Sequence, residues 1–107
     1  ETRAADIVQP DATVCGGVSE WLKIAHHAAA IDIPVAPHYN WDFHTQLCAT
    51  IPNCVFIEYF IAASGVKMFD SVLAAPMKPR NGYLEPRTAP GFGVEFIPAE
   101  IERYRIG

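Results

Sequence analysis

The chain has 107 residues, of which 50% are hydrophobic and 19% charged, and its formal net charge is −4. This length and composition indicate one small globular domain and exclude a disordered chain. Acidic and basic residues are mixed, without the Lys/Arg cluster of a nucleic-acid-binding protein. No apolar run approaches the roughly 20 residues of a membrane-spanning helix. The sequence therefore predicts neither a nucleic-acid nor a membrane partner, and we expect a cytoplasmic protein.

Strand-like and helix-like segments alternate in the first part of the chain. Apolar runs that contain or end in an acid or a histidine predict strands at 6–11, 33–38 and 55–60. Apolar residues at helical spacing predict a helix at 18–30, and a second, shorter helix is predicted at 42–51. The strand–helix–strand–helix–strand order predicts the α/β class, with a parallel sheet and right-handed crossovers.

Residues 61–107 have a different character, because five of the nine prolines lie in 76–98. The Asn-Gly-Tyr sequence at 81–83 predicts a tight turn, and the glycine-punctuated stretch 90–96 predicts an extended segment. Pro98 is suited to the first turn of a short helix. We therefore divide the chain into 1–60 and a C-terminal tail that returns over a neighbouring structure.

Three titratable side chains mark the ends of the three predicted strands. Because side chains alternate along a strand, Asp11, His38 and Glu58 are expected on one face, at or near the carboxyl ends of consecutive parallel strands. That end of a βα fold carries ligands and chemistry. The structural alternatives are a loop cap for Asp11, a strand-end role for His38 and a surface position for Glu58. Each acid interrupts an apolar strand, which favours a site.

The chemistry of the three groups is compatible with a site. An aspartate beside a histidine orients the imidazole and stabilises its protonated form, which gives an acid/base that works near neutral pH. A glutamic acid kept protonated by burial can donate a hydrogen bond.

Other titratable residues carry weaker signals. His44 follows on the second helix, where it lines the mouth of the site or packs inside the fold. A metal site formed by His38, His44 and Cys48 has no recognised spacing, and we expect no metal ligand in this chain. The cysteines are an odd number without a CxxC pair, which predicts reduced thiols. The polar side chains of the first helix are expected in solvent: Glu20, Lys23, His26 and His27.

Four motifs, in order and spacing, resemble the mandelate racemase and muconate lactonizing branch of the enolase superfamily. They are QPD with a following Gly-Gly (9–17), APH (36–38), FIEYF (56–60) and PGFGVE (90–95). The stretch 38–44, HYNWDFH, looks more like acid-sugar dehydratases and mandelate racemase than muconate cycloisomerases. The lysine typical of cycloisomerases and dipeptide epimerases is also missing near the first predicted strand.

The resemblance implies a fold and a reaction. The fold is the C-terminal portion, about three βα units, of a modified TIM barrel, with a tail that closes the barrel and returns toward a capping domain. The cofactor is Mg²⁺, held by acids outside this chain, and the reaction removes the proton alpha to a carboxylate. His38 would be the acid/base, oriented by Asp11. Glu58 would be a catalytic, electrophilic acid or would hydrogen-bond the substrate carboxylate. Tyr39 and His44 are further candidates for substrate contact.

A complete barrel has about 250 residues in eight βα units. Three predicted strands therefore indicate a fragment of a larger enzyme, inactive by itself, in which an acid-sugar dehydratase (a lyase) is favoured. The alternative reaction is racemisation or epimerisation of a 2-hydroxy acid. An alternative of another class is a non-catalytic βα fragment or partner-binding module, because an open sheet edge favours association. The expected substrate is a small carboxylate. A second copy of the same protein, in a homo-oligomer, is a further candidate partner.

Overall fold

A computed structural model describes residues 4–66 and 69–107 of the chain. It contains three α-helices, α1 (Val18–Ala30), α2 (Trp41–Cys48) and α3 (Pro98–Glu102), and two 3-10 turns, Ala62–Ser64 and Phe69–Val72. As predicted, the short helix α3 begins at a proline. In the part of the chain that the structure describes, no helix has the length and apolar character needed to cross a bilayer.

Three extended segments pair in parallel before, between and after the first two helices. Val8 pairs with Val35, and Val35 pairs in turn with Cys54. The Val8 N–H donates to the Pro34 carbonyl at 3.0 Å, and the Val35 N–H donates to the Asn53 carbonyl at 2.8 Å. The helix α1 connects the first segment to the second, and α2 connects the second to the third. The predicted parallel order of the segments is confirmed at these residues.

Fewer residues of the three segments pair than the predicted strands contain. The described residues of the three segments meet at two single bridges, and the second bridge lies at Cys54, one residue before the predicted strand 55–60. Pro34 and Pro37 flank Val35 in the middle segment, and proline has no N–H to contribute to a ladder. Among the residues that the structure describes, Cys54 pairs on one side only, with Val35, so this segment is an edge there.

Small residues on α1 allow the helix to pack closely on the middle segment. The buried apolar core consists of Trp21, Ala25, Ala28, Val35, Leu47, Cys48 and Ile51. All four polar side chains that were expected in solvent on α1 are exposed, as an amphipathic helix requires. The core therefore lies between the two long helices and the face of the middle segment that carries Val35.

The ends of the helices follow local chemistry. The helix α1 has the predicted bounds and begins after Gly17, whose φ is 98°. The helix α2 begins one residue earlier than predicted and ends three residues earlier, at Cys48. The Thr50 hydroxyl donates to the Leu47 carbonyl at 2.7 Å. This bond satisfies one of the carbonyls that a helix end leaves without an intrahelical partner, so α2 stops before the predicted residue.

The tail folds back on itself. Arg80 and Tyr83 exchange two backbone hydrogen bonds, of 2.8 and 2.9 Å, and the two residues between them both have positive φ. This is the geometry of a two-residue hairpin, so the predicted tight turn is confirmed. Farther out, Leu73 pairs in antiparallel with Phe96.

A buried ion pair fastens the tail to α2. Asp42 is 4% exposed, and its carboxylate accepts hydrogen bonds from the Arg87 guanidinium and from the Met77 N–H. The same guanidinium donates to the Ala75 carbonyl at 2.6 Å. The Gln46 amide adds a bond of 2.9 Å to the Arg87 carbonyl. We call this set of bonds from Arg87 and Gln46 the clamp. Because Asp42 lies in the first turn of α2, the clamp fixes the start of that helix.

We predict that Arg87→Ala lowers the free energy of unfolding of the complete protein by about 3–5 kcal/mol, because the Asp42 carboxylate is left buried without its cation. Urea unfolding measures this change. The matched control is Arg80→Ala, since the Arg80–Glu85 pair is 4.0 Å long and both side chains are highly exposed. Equal effects of the two substitutions would contradict a structural role for the buried pair.

Candidate active site

The three side chains expected at the strand ends gather in one place. The His38 Nδ1 lies 3.1 Å from the Asp11 Oδ2. The backbone of His38 is fixed by its own N–H, which donates to the Pro10 carbonyl at 3.3 Å. Glu58 reaches the same turn from the third segment, where its Oε2 accepts from the Tyr39 N–H at 2.7 Å. The parallel arrangement therefore brings two carboxyl groups and an imidazole to one end of the fold.

The Asp11 carboxylate is buried and surrounded by donors. It is 8% exposed, and its Oδ1 accepts from both the N–H and the hydroxyl of Thr13 at 2.8 Å. The Asn40 amide lies 3.3 Å from each carboxylate oxygen. Burial raises the pKa of Asp11, but the hydrogen bonds from Thr13, His38 and Asn40 outweigh it, and the pKa is lowered overall. Asp11 is therefore held as a carboxylate.

The ionised Asp11 determines which nitrogen of His38 carries the proton. A carboxylate only accepts hydrogen bonds, so the Nδ1 of His38 must donate. In the neutral imidazole this leaves the Nε2 unprotonated, with a lone pair that can accept a proton. The His38 side chain is 55% exposed. The pair has the geometry of an oriented acid/base.

Two successive residues after His38 adopt the left-handed conformation. Tyr39 has φ 52° and Asn40 has φ 45°. Such conformations cost about 1–3 kcal/mol each when the residue is not glycine. The turn is held by Glu58, which accepts the Tyr39 N–H, and by the His44 Nδ1, which donates to the Tyr39 carbonyl at 2.7 Å. Strain at two successive residues, with support on both sides, is typical of a functional site.

His44 lies inside the fold, not at the mouth of the site. It is 0% exposed, and its ring stacks on Trp21 with the centroids 6.0 Å apart. The Ala12 N–H donates to the Nε2 at 3.0 Å, and the Nδ1 donates to the Tyr39 carbonyl. Both ring nitrogens are thus used by the backbone. We therefore assign His44 to holding the two loops of the site together, and not to the expected substrate contact.

Aromatic rings form a wall beside His38. The Tyr39 ring contacts Trp41, Phe60 and Phe69, with centroid distances of 5.7, 5.8 and 6.3 Å. Burial and the nearby charge of Asp70 raise the pKa of the Tyr39 hydroxyl. Tyr39 is half-buried next to the imidazole, which is compatible with its expected place at the substrate.

Two residues of the site, Thr13 and Asn40, were not predicted. An Asp-x-Thr sequence is a local signal, because the side chain of an aspartate commonly bonds to the backbone two residues on. Asn40 carries no comparable local pattern.

No group of three or more possible metal ligands occurs within 4–66 and 69–107, so the structure gives no support to a metal site at His38, His44 and Cys48.

The pKa of His44 is lowered by burial, together with the charge of His38, and these outweigh the opposing effects of the Tyr39 carbonyl and Asp11. The unfolded chain takes up a proton on this imidazole near pH 6.5, whereas the native state does not. The contribution of His44 to stability is therefore complete above this pH and is lost as the pH falls below it.

We predict that His44→Gln lowers the free energy of unfolding most above pH 6.5, by about 1–3 kcal/mol for the buried groups left unpaired. Below this pH the difference from wild type narrows, by at most about 1.4 kcal/mol per pH unit. Urea unfolding of both proteins between pH 5 and 8 measures the difference. A difference that stays constant or widens toward pH 5 would mean that His44 is not held neutral.

Comparisons with known proteins agree on one family. The protein-family model described as enolase C-terminal domain-like matches residues 1–100 of this chain. L-rhamnonate dehydratase from Saccharopolyspora erythraea is 36% identical over 104 residues, and the match covers 94% of this chain and 26% of that protein. L-talarate dehydratase from Polaromonas sp. JS666, solved with Mg and L-glucarate, has a TM-score of 0.81 at 29% identity, covering 94% of this chain and 26% of its own.

A second solved structure is L-talarate/galactarate dehydratase from Salmonella typhimurium LT2, liganded with Mg and L-lyxarohydroxamate. Its TM-score is 0.80 at 28% identity, over 92% of this chain and 24% of that one. The chain therefore spans about a quarter of the length of these relatives.

Proposed function

The chain belongs to the enolase C-terminal domain-like family, and on that premise we propose that it forms part of an acid-sugar dehydratase. The reaction removes the proton alpha to a carboxylate and expels the hydroxyl on the next carbon. Support comes from the dehydratase relatives named above, two of which were solved with Mg and an acid-sugar ligand or analogue. Racemisation of a 2-hydroxy acid is the alternative reaction on the same groups.

The single observation that carries the proposal is the hydrogen bond between Asp11 and His38. An imidazole with its Nδ1 bonded to a buried carboxylate is oriented to act as a general acid/base. In its neutral form His38 takes up a proton at Nε2. In its protonated form it delivers a proton to the departing hydroxyl, so one residue can serve either step of a dehydration.

Glu58 is proposed to contact the substrate carboxylate. One of its oxygens accepts the Tyr39 N–H at 2.7 Å. Within the described residues the other oxygen accepts no hydrogen bond, which leaves it to face a ligand. Tyr39 would then border the same space with its ring. These two roles rest on position beside His38.

Magnesium is the proposed cofactor, as in the two solved relatives. The described residues offer no cluster of ligands for a metal, so they do not by themselves fit a magnesium site. We propose that the ligands lie outside this chain. When bound, the ion supplies positive charge beside the substrate carboxylate.

We propose that the three parallel segments and their helices form about three βα units at the C-terminal end of a modified TIM barrel. Residues 1–60 would provide these units. Residues 61–107 would form a tail that closes the barrel and returns toward a capping domain. The clamp between α2 and Arg87 supports this division, because it holds the tail against the last helix of the units. The complete enzyme is proposed to act in the cytoplasm.

We predict that His38→Asn in the complete protein lowers kcat by at least about a hundredfold and leaves the fold intact, because the acid/base group is removed from an exposed position. The assay is a screen of acid sugars with magnesium, in which loss of the α-proton and β-hydroxyl gives a 2-keto acid. Circular dichroism checks the fold.

His27→Asn is the matched control, since His27 is exposed on α1. Its activity should equal that of wild type. Full activity in His38→Asn would refute the role of His38. A wild-type protein that binds a partner but turns over no acid sugar or 2-hydroxy acid would favour a non-catalytic module.

A further inference from the structure

Asn40 occupies an unusual place for an asparagine at the start of a helix. It is the N-cap of α2 and is 6% exposed. An asparagine there ordinarily uses its side-chain oxygen to accept an N–H of the first turn. The Asn40 side chain makes no such bond. Instead, its amide nitrogen lies 3.3 Å from both oxygens of Asp11 and 3.3 Å from the Thr13 hydroxyl.

The backbone explains why an asparagine suits this position. Its φ of 45° and ψ of 42° lie in the left-handed region, which asparagine tolerates better than most residues other than glycine. The backbone carbonyl of Asn40 accepts the N–H groups of Phe43 and His44, each at 2.9 Å. One residue thus turns the chain after His38, starts α2 and sends its amide back to Asp11.

We infer that Asn40 is a positioning residue for the acid/base pair, which acts by holding the Asp11 carboxylate with its Oδ2 toward His38. The catalytic consequence rests on the proposed function, but the effect on Asp11 does not. The charged and titratable groups that face Asp11 are His38, at 3.1 Å, and His44, whose Nε2 is 3.8 Å from the Oδ1. Removing the amide takes away its hydrogen bonds to Asp11 and to Thr13, whereas both imidazoles remain.

The Asn40 amide is one of several bonds that lower the pKa of Asp11. Its loss should therefore raise that pKa toward the ordinary value of 3.8. A carboxyl group in its place has a larger effect, because two carboxylates that share a site cannot both ionise easily. Asn40→Asp keeps the size and the tolerance of positive φ, and Asn40→Gly keeps the backbone freedom without a side chain.

The experiment uses both variants in the complete protein and follows the Asp11 carboxyl by carbon-13 NMR titration. We expect the pKa of Asp11 to rise in both, most in Asn40→Asp. With the substrate found in the screen, kcat/KM should fall by about a hundredfold, the order expected for a small misplacement of a reacting group. The acid limb of the pH–rate profile should move to higher pH in Asn40→Asp, which a merely structural residue would not cause.

The chain offers a matched control in Asn81, whose φ is also positive, at 50°, in the exposed hairpin turn. Asn81→Asp and Asn81→Gly should leave the titration of Asp11, the pH profile and kcat/KM unchanged. The inference is overturned if folded Asn40 variants keep the wild-type titration of Asp11. It is also overturned if neither variant folds, since Asn40 would then be required for the structure itself.

Failure of the proposed function gives a different result. In that case the wild-type protein turns over no acid sugar or 2-hydroxy acid, whereas the Asp11 titration still responds to Asn40. An unchanged titration beside normal wild-type turnover would reject the role of Asn40 and leave the proposed function in place.

Discussion

A carboxylate withdrawn from water must be given hydrogen-bond donors, or it takes up a proton. Asp11 meets this requirement with donors from Thr13, His38 and Asn40, and the rest of the site follows from it. The middle segment has to run parallel to the first so that His38 arrives beside it. The chain must then adopt the left-handed conformation at Tyr39 and Asn40, so that the Asn40 amide contacts Asp11. Around this turn, Asp42 and the tail fix the start of α2.

Several of these features are encoded locally and could be predicted. The bounds of α1 follow from apolar spacing between Gly17 and the turn after Ala30. The meeting of Asp11 and His38 was predictable because each ends an extended segment in a parallel arrangement. The hairpin at Arg80–Tyr83 follows from an Asn-Gly pair, which accepts positive φ at both positions. In each case a period of two or 3.6, or the preference of one dipeptide, specifies the structure.

Other features depend on partners far along the chain and have no local pattern. Asp42 and Arg87 are 45 residues apart, and the local sequence around either residue does not predict that they pair. The sequence predicted two alternative positions for His44, at the mouth of the site or in the interior, because its burial depends on stacking against Trp21. The strands were predicted longer than their single bridges, since apolar β-formers indicate a strand whether or not a neighbour is present to pair with it. The amide of Asn40 could have capped its own helix.

The tautomer of His38 tests most directly the claim that Asp11 orients it. A long-range proton–nitrogen NMR spectrum of the complete protein, at a pH where the imidazole is neutral, distinguishes the two ring nitrogens. If Asp11 accepts from the ring, the proton resides on Nδ1 and the Nε2 is unprotonated. A neutral ring that carries its proton on Nε2, or that exchanges freely between both forms, would contradict the account.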